Sequence, residues 1–243
     1  MLKTLLGIAL FTASGIAAAT PQISIDSMYE FIDADKSTLL KRIRNNGDQT
    51  AYIRTEVSEI IYQHDGKKIE RKMDASEVAR GNINGLVFTP LRMIIPAKAM
   101  QSGRLVFSGK REQERYFRVR FSPVLPKDQY EFNQSKQEYE AYRQKLSAGI
   151  NILTGFGAMI IVRPENVRYS TQIERVGQII SFKNNGNSTV LIDGIKECIN
   201  KKCAPENSVF LLPGKTHQIH QKTNHSLQFI LQEGSKSTPK SFG

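Results

Sequence analysis

Short alternating runs of apolar and polar residues, separated by turn sequences, cover most of this chain. Clear examples lie at residues 39–57, 103–109, 115–126 and 177–195. The sequences NNG at 45–47 and NNGN at 184–187, which fall between such runs, favour tight turns. Short strands at this spacing are typical of β-sandwiches. The chain is therefore predicted to be all-β.

Two sandwiches of ordinary size fit a chain of 243 residues. We predict the first at residues 20–163 and the second at 164–235, with Pro164 marking the boundary because it ends an apolar strand. Residues 236–243 are polar and are predicted to be a disordered tail. Residues 126–148 are long and polar with weak helical character, and we predict a flexible loop there rather than a packed helix.

Residues 1–19 have the features of a secretory signal peptide. Lys3 supplies a positive charge, residues 5–16 are largely apolar, and Ala17 to Ala19 form a small-residue cleavage site. The apolar run is shorter than the roughly 20 residues of a membrane span. The mature chain is therefore predicted to start near Thr20 and to be exported, with an N-terminal anchor as the alternative.

The chain is basic. Because Lys3 is the single charged residue in the signal segment, its removal lowers the formal net charge from +11 to +10. A basic exported protein can meet nucleic acid, an anionic membrane surface or acidic proteins. Apart from short clusters at 41–44 and 115–120, the basic residues are spread along the chain. Diffuse charge is typical of a solvated surface, so charge alone selects no partner.

Cys198 and Cys203 are the two cysteines of the chain. In an exported protein a close pair predicts a disulfide that closes a hairpin. Together with His217 and His220 they also approach a zinc-finger spacing, but the two histidines are too close and their segment lacks helical character. The disulfide is the prediction, with no metal site. Since no catalytic or phosphate-binding motif occurs either, we predict no enzymatic activity and no cofactor.

Residues 150–162, INILTGFGAMIIV, alternate like a strand but are apolar on both faces. A strand at a solvated surface should be polar on one face. Either it is a central strand covered on both sides, or it is an edge strand whose Ile150, Ile152 and Thr154 a partner covers by strand addition. The long polar segment just before it favours the second interpretation.

Several motifs occur in an order that resembles the periplasmic pilus-assembly chaperones of the chaperone–usher system. They are GLVFTPLRMIIPAKA at 85–99, ERYFRVRF at 114–121 and INILTGFGAMIIVRP at 150–164. In the second half, residues 184–215, NNGNSTVLIDGIKECINKKCAPENSVFLLPGK, resemble the common-pilus chaperones of the alternate class.

This resemblance implies two immunoglobulin-like sandwiches set at an angle and a function in donor-strand complementation, in which the last strand of the first domain fills a groove in a pilus subunit. The subunit-binding residues would be Ile150, Ile152, Thr154 and Phe156, after which the same face continues into the core at Ala158 and Ile160. The implied partners are pilus subunits and an outer-membrane usher, in the periplasm. Self-capping by dimerisation stays open.

The resemblance also implies an anchor for the carboxylate at the end of the subunit. Well-known members use an arginine and a lysine at positions that are Met28 and Met159 here, and neither methionine can pair with a carboxylate. Lys41 and Arg118 are the predicted cationic pair in their place, with ordinary solvated residues as the alternative. Arg163 is predicted to bridge the two domains by an ion pair.

Two rival functions stay open at this stage. A pilus subunit or adhesin should carry an alternating extension directly after the signal peptide, whereas TPQISIDSMYEF alternates only briefly. An exported polyanion-binding protein should lose its binding steeply with salt. The chaperone interpretation predicts neither nucleic-acid binding nor insertion into a membrane.

Overall fold

The computed structural model describes residues 20–63, 67–147, 153–200, 202–204 and 207–243. Strands dominate, and they separate into a group before residue 163 and a group after residue 170. The first group comprises β1 (Ile23–Ile25), β2 (Tyr29–Ile32), β3 (Thr38–Asn45), β4 (Ala51–Tyr62), β5 (Lys68–Lys72), β6 (Gly85–Thr89), β7 (Arg92–Ile95), β8 (Met100–Ser108), β9 (Arg115–Pro123) and β10 (Phe156–Val162), with helices α1 (Ala75–Ala79) and α2 (Lys136–Ser147).

The first domain is a sandwich of two sheets. One sheet has the strand order β1-β3-β8-β6, and the other has the order β2-β10-β9-β4-β5 with β7 also paired to β4. Alternation along β9 shows how sequence builds the core, because Phe117, Val119 and Phe121 are fully buried between the sheets. Each such ring or branched side chain stabilises the fold by about 1.5–3 kcal/mol. Arg118 and Arg120 point to the outer face.

The second domain is a smaller sandwich. Its strands are β11 (Thr171–Val176), β12 (Ile179–Asn184), β13 (Val190–Ile199), β14 (Lys202–Cys203), β15 (Asn207–Leu211), β16 (Thr216–His220), β17 (Ser226–Glu233) and β18 (Lys236–Phe242). One sheet is β11-β12-β16, and the other is β14-β13-β17-β18 with β15 on β13. The Phe182 and Phe229 rings meet edge to face at 5.0 Å in its core. The prediction of an all-β fold with two immunoglobulin-like sandwiches is confirmed.

Helix α2 corrects the prediction of a flexible loop at 126–148. Ser135 and Glu138 form a capping box, in which the Ser135 N–H donates to Glu138 at 2.8 Å and the Glu138 N–H donates to Ser135 Oγ at 3.2 Å. The helix buries Tyr142 and Leu146 against Tyr52 on the outer face of β4. Two apolar positions one turn apart are enough for this contact, although the helix is polar elsewhere.

Strand β18 corrects the prediction of a disordered tail at 236–243. Residues 236–242 pair with β17 over seven register positions, from Glu233↔Lys236 to Leu227↔Phe242. A hairpin turn with Gly234 at φ +63° connects the two strands. Pro239 is tolerated because β18 lies at the edge of its sheet, where one side of the strand needs no hydrogen bonds.

The predicted disulfide is confirmed. Cys198 and Cys203 are bonded across the pair β13 and β14, so neither sulfur is available as a zinc ligand. Among the described residues no helix is long and apolar enough to cross a membrane.

Candidate functional site

Strand β10 has one open edge along its first half. It pairs with β9 over all seven residues, but the parallel strand β2 covers only Met159 to Val162 on its other side. The N–H groups of Met159 and Arg163 donate towards β2, to Met28 O at 2.7 Å and Ile32 O at 3.0 Å. Because backbone groups alternate along a strand, the N–H and C=O of Gly157 face the same side as those of Met159, and at Gly157 none of the described strands lies there. This open edge can accept one further strand.

The even-numbered face of β10 runs from the core out to solvent. Ile160 and Ala158 are buried between the sheets, as the sequence predicts. Phe156 is half-buried and packs against the same core, and Thr154 just before the strand is exposed. Of the predicted subunit-binding residues, Thr154 is therefore open to a partner, and Phe156 anchors the strand to its own domain. Ile150 and Ile152 lie outside the described residues.

The odd-numbered face of β10 is covered near the end of the strand. Ile161 is buried between its register partners Tyr116 and Phe31. Phe31 and Tyr29 contact the ring of Phe210 from the second domain, with centroids 6.2 and 4.2 Å apart. The strand is therefore apolar on both faces at its end because the first domain's core covers one side and the domain junction covers the other.

Lys41, predicted as one member of the anchor pair, is bound within its own domain. Its side chain is fully buried, and Nζ lies 2.8 Å from Asp26 Oδ1 and 2.5 Å from Glu30 Oε2. It also donates to the carbonyl oxygen of Ser27. These partners lie where the chain crosses from β1 in one sheet to β2 in the other. Burial opposes ionisation of Asp26, but the hydrogen bond and charge of Lys41 outweigh it and lower the Asp26 pKa. Lys41 holds this crossing together. Its ammonium group already has three acceptors, so no N–H is left to donate to the carboxylate of a pilus subunit.

Arg118 lies on the outer face of the sheet, on β9 next to β10 and opposite Met159 in register. Its guanidinium donates to Glu70 Oε2 at 2.9 Å, and Arg120 Nη2 donates to the same oxygen at 2.9 Å. The hydrogen bond from Arg120 is the main cause that lowers the pKa of Glu70 below its ordinary value. Glu70 lies on β5, which is exposed along its length. Two arginines of β9, the strand next to β10, thus share one accessible carboxylate, which reaches them across β4 from the far side of the sheet.

The structure places Met28 and Met159 together, at the point where β2 begins to cover β10. The Met159 N–H donates to Met28 O at 2.7 Å, and the Met28 side chain is more than half exposed. Tyr29, also largely exposed, extends this apolar surface towards the second domain. Where the resemblance places an arginine and a lysine in other members, this chain has an apolar surface.

Arg163 joins the domains through hydrogen bonds rather than through a bridging ion pair. Its Nη1 donates to Ser188 Oγ at 2.6 Å and to the carbonyl oxygen of Thr189 at 3.3 Å. Its ion pair, at 3.1 Å, is with Asp33 of its own domain. The guanidinium also lies over the Phe31 ring, 4.0 Å from the centroid.

Glu114 is a junction residue that the sequence analysis missed. Its buried carboxylate accepts from Ser188 Oγ at 2.6 Å and from the Thr189 N–H at 2.8 Å, both in the second domain. Tyr116 donates to it at 2.7 Å, and burial, followed by the charge of Glu114, raises the pKa of Tyr116. The NNGNST motif in the sequence contains the residues of the second domain that form this contact. A single glutamate before a strand has no such motif around it, so the role of Glu114 could not be predicted from the sequence.

Comparisons with known proteins agree with this architecture. No family model matches the chain. Curated relatives named "Probable fimbrial chaperone EcpB" are 26% identical in Escherichia coli O7:K1 and 27% identical in Escherichia coli O18:K1:H7, over alignments of 245 residues that cover 98% of this chain and 99% of each relative.

Solved structures of fimbrial chaperones share the fold. The Class 5 fimbriae chaperone CfaA matches with a TM-score of 0.56 and 20% identity, covering 90% of this chain and 98% of that one. The Escherichia coli chaperone DraB matches with a TM-score of 0.56 and 13% identity, covering 92% and 98%. A complex of the chaperone CsuC with the tip subunit CsuE, from archaic chaperone-usher pili of Acinetobacter baumannii, matches with a TM-score of 0.52 and 12% identity over 90% and 97%. The resemblance that the sequence motifs predict is therefore confirmed: over nearly its whole length this chain is similar to the fimbrial chaperones of the chaperone–usher system.

Proposed function

We propose that this protein is a periplasmic chaperone for pilus subunits, which it folds and caps by donor-strand complementation before an outer-membrane usher receives them. The observation that carries the proposal is the open edge of β10, whose first half pairs with β9 alone. The names of the curated relatives and the subunit complex formed by CsuC support the same role. No nucleotide or other cofactor is part of the proposal, because binding energy and strand exchange suffice for capture and release.

The donated strand would extend β10 towards its N-terminus, with Ile150, Ile152 and Thr154 entering the groove of the subunit. Thr154 is exposed and continues the face on which Ala158 and Ile160 are buried. A subunit strand paired to this edge would meet the free N–H and C=O of Gly157. Burial of each isoleucine would stabilise the complex by roughly 1.5–3 kcal/mol before the costs of association.

For the carboxylate anchor we propose Arg118 with Arg120, in place of Arg118 with Lys41. Both residues lie on β9, the strand next to β10, their side chains are partly exposed, and they already bind a carboxylate, that of Glu70 on β5. The terminal carboxylate of a subunit would compete with Glu70 for them. Arginine suits this exchange because its planar group binds carboxylates at two points.

The test of this function is co-purification of the protein with pilus subunits of its own organism, comparing Ile152→Asp with Ile94→Asp. Ile94 is an exposed isoleucine of the first domain, and it lies on β7, away from β10. We expect Ile152→Asp to stay folded by circular dichroism and to lose the subunits, whereas Ile94→Asp retains them. Recovery of subunits by both folded variants would show that the strand is not donated, and unfolding of Ile152→Asp would identify a core strand.

A further inference from the structure

The outer face of the sheet β1-β3-β8-β6 has an unbalanced charge. Arg42 and Arg44 project from β3, and Arg104 projects from β8. All three are exposed, and within the part of the chain that the structure describes none of them forms a side-chain hydrogen bond or ion pair. The other residues whose side chains share this face are uncharged: Ser24, Thr38, Leu40, Val87, Thr89, Met100, Ser102 and Val106.

On the other sheet of the same domain most arginines are paired with carboxylates, although the exposed Arg92 of β7 has no ion pair among the described residues. Arg54 pairs with Glu131, Arg115 with Glu59, and Arg118 and Arg120 with Glu70. If the basic residues served solubility alone, positive and negative side chains would be mixed to the same extent on both sheets. The three arginines on the first sheet instead form a cationic surface that has no partner among the described residues.

Geometry limits what such a partner can be. Arg42 and Arg44 are two residues apart on one strand, so their side chains are spaced by about 6–7 Å, and Arg104 is opposite Leu40 on the neighbouring strand. The remaining side chains on the face are small, except for Leu40 and Met100, which are 49% and 50% exposed. The surface is therefore a broad face on which three guanidiniums and two apolar side chains project furthest.

We propose that this arginine face, defined by Arg42, Arg44 and Arg104, binds the surface of a membrane that contains anionic phospholipids. Guanidinium groups bind phosphate oxygens at two points. Leu40 and Met100, adjacent to the arginines, would enter the boundary between headgroups and acyl chains. An extended plane of phosphates can engage all three arginines and both apolar side chains at once, and this favours a membrane over an acidic protein. The face is independent of the open edge of β10, which belongs to the other sheet.

The test is sedimentation of the purified protein with vesicles of phosphatidylethanolamine containing about one-quarter phosphatidylglycerol, against vesicles of phosphatidylcholine. Each basic residue near an anionic membrane contributes about fivefold in affinity. The triple variant Arg42→Gln, Arg44→Gln, Arg104→Gln should therefore bind the anionic vesicles on the order of 100-fold more weakly. The control triple Arg54→Gln, Arg71→Gln, Arg80→Gln removes the same charge from arginines that are paired with carboxylates, and it should bind within a few-fold of wild type.

Several results would overturn the proposal. If both triple variants lost the same affinity for anionic vesicles, only the total charge of the protein would matter. Equal binding of the wild type to both kinds of vesicle would exclude recognition of the anionic headgroups. Tighter binding to polyglutamate than to the anionic vesicles would identify an acidic protein as the partner instead. Because the triple variant leaves β10 untouched, it should still co-purify with pilus subunits, so failure here leaves the proposed chaperone function standing.

Discussion

The Glu114 carboxylate of the first domain accepts a hydrogen bond from the Thr189 N–H of the second domain, with 2.8 Å between the nitrogen and Oε2. The same oxygen accepts from Ser188 Oγ, which in turn accepts from Arg163. A carboxylate and a guanidinium of one domain thus share the hydroxyl and backbone groups of one short loop in the other. This network fixes the position of the second domain behind the end of β10.

We predict that Glu114→Ala uncouples the domains. The substitution leaves the buried Thr189 N–H and the Ser188 hydroxyl without their acceptor, and hydrogen bonds to a charged group contribute about 1.5–3 kcal/mol each. Denaturant unfolding should show a loss of about 2–4 kcal/mol or a separation into two transitions. Glu112→Ala, two residues away and exposed, serves as the control and should change stability by less than about 0.5 kcal/mol. A single unshifted transition in Glu114→Ala would contradict the coupling.

Lys41→Met is predicted to destabilise the first domain. The lysine side chain is fully buried, and its removal leaves Asp26 and Glu30 without their cation. Breaking a buried pair costs about 3–5 kcal/mol, but both carboxylates are partly exposed, so we expect about 2 kcal/mol. The measurement is the free energy of unfolding in denaturant, with Lys36→Met as the exposed control. If Lys41 were a client anchor, its removal would instead abolish subunit binding at unchanged stability.

The sequence predicts the features that depend on local alternation. The burial of Ala158 and Ile160, the two sandwiches and the Cys198–Cys203 pairing all follow from period-two patterns, turn residues and short spacing. These signals are strong because each is contained within a few neighbouring residues.

Contacts between residues that are far apart in the sequence cannot be predicted from these local patterns. Lys41 looks like a solvated strand residue until the chain crossing brings Asp26 and Glu30 to it, and Arg118 finds Glu70 only through the register of β4, β5 and β9. Helix α2 and strand β18 were missed for another reason. They are polar elements at the surface: α2 buries two apolar side chains, Tyr142 and Leu146, and β18 packs Phe242 against the core.

The cluster of Arg118, Arg120 and Glu70 should make stability depend on pH. The hydrogen bond from Arg120 lowers the pKa of Glu70 below its ordinary value of 4.5. The Glu70 carboxylate therefore binds a proton less readily in the folded state than in the unfolded state. The stabilisation is therefore fully present above the unfolded pKa and is lost as pH falls through the folded pKa. We expect wild type to exceed Glu70→Gln in unfolding free energy near neutral pH, with the difference shrinking below about pH 4.5. A difference that stays constant across this range in denaturant titrations would contradict the prediction.

Arg118→Ala should weaken capture of pilus subunits without unfolding the protein. Charge-assisted hydrogen bonds to a carboxylate contribute about 1.5–3 kcal/mol, which corresponds to roughly a 10-fold to 150-fold loss in affinity. Glu70→Gln should act in the opposite direction, because it removes the carboxylate that occupies Arg118 and Arg120 in the free protein. The measurement is the affinity for a purified subunit, compared with that for the same subunit amidated at its C-terminus.

Arg54→Ala is the matched control, since Arg54 also projects from the outer face of this sheet and pairs with a glutamate, but it lies on β4 near α2. If Arg118 binds the terminal carboxylate, amidation of the subunit and the Arg118→Ala substitution should show losses that do not add. Additive losses would mean that the arginine and the subunit terminus act at separate places. An anchor elsewhere on the open edge, beside Met28 and Met159, would then have to hold the subunit by apolar contact alone.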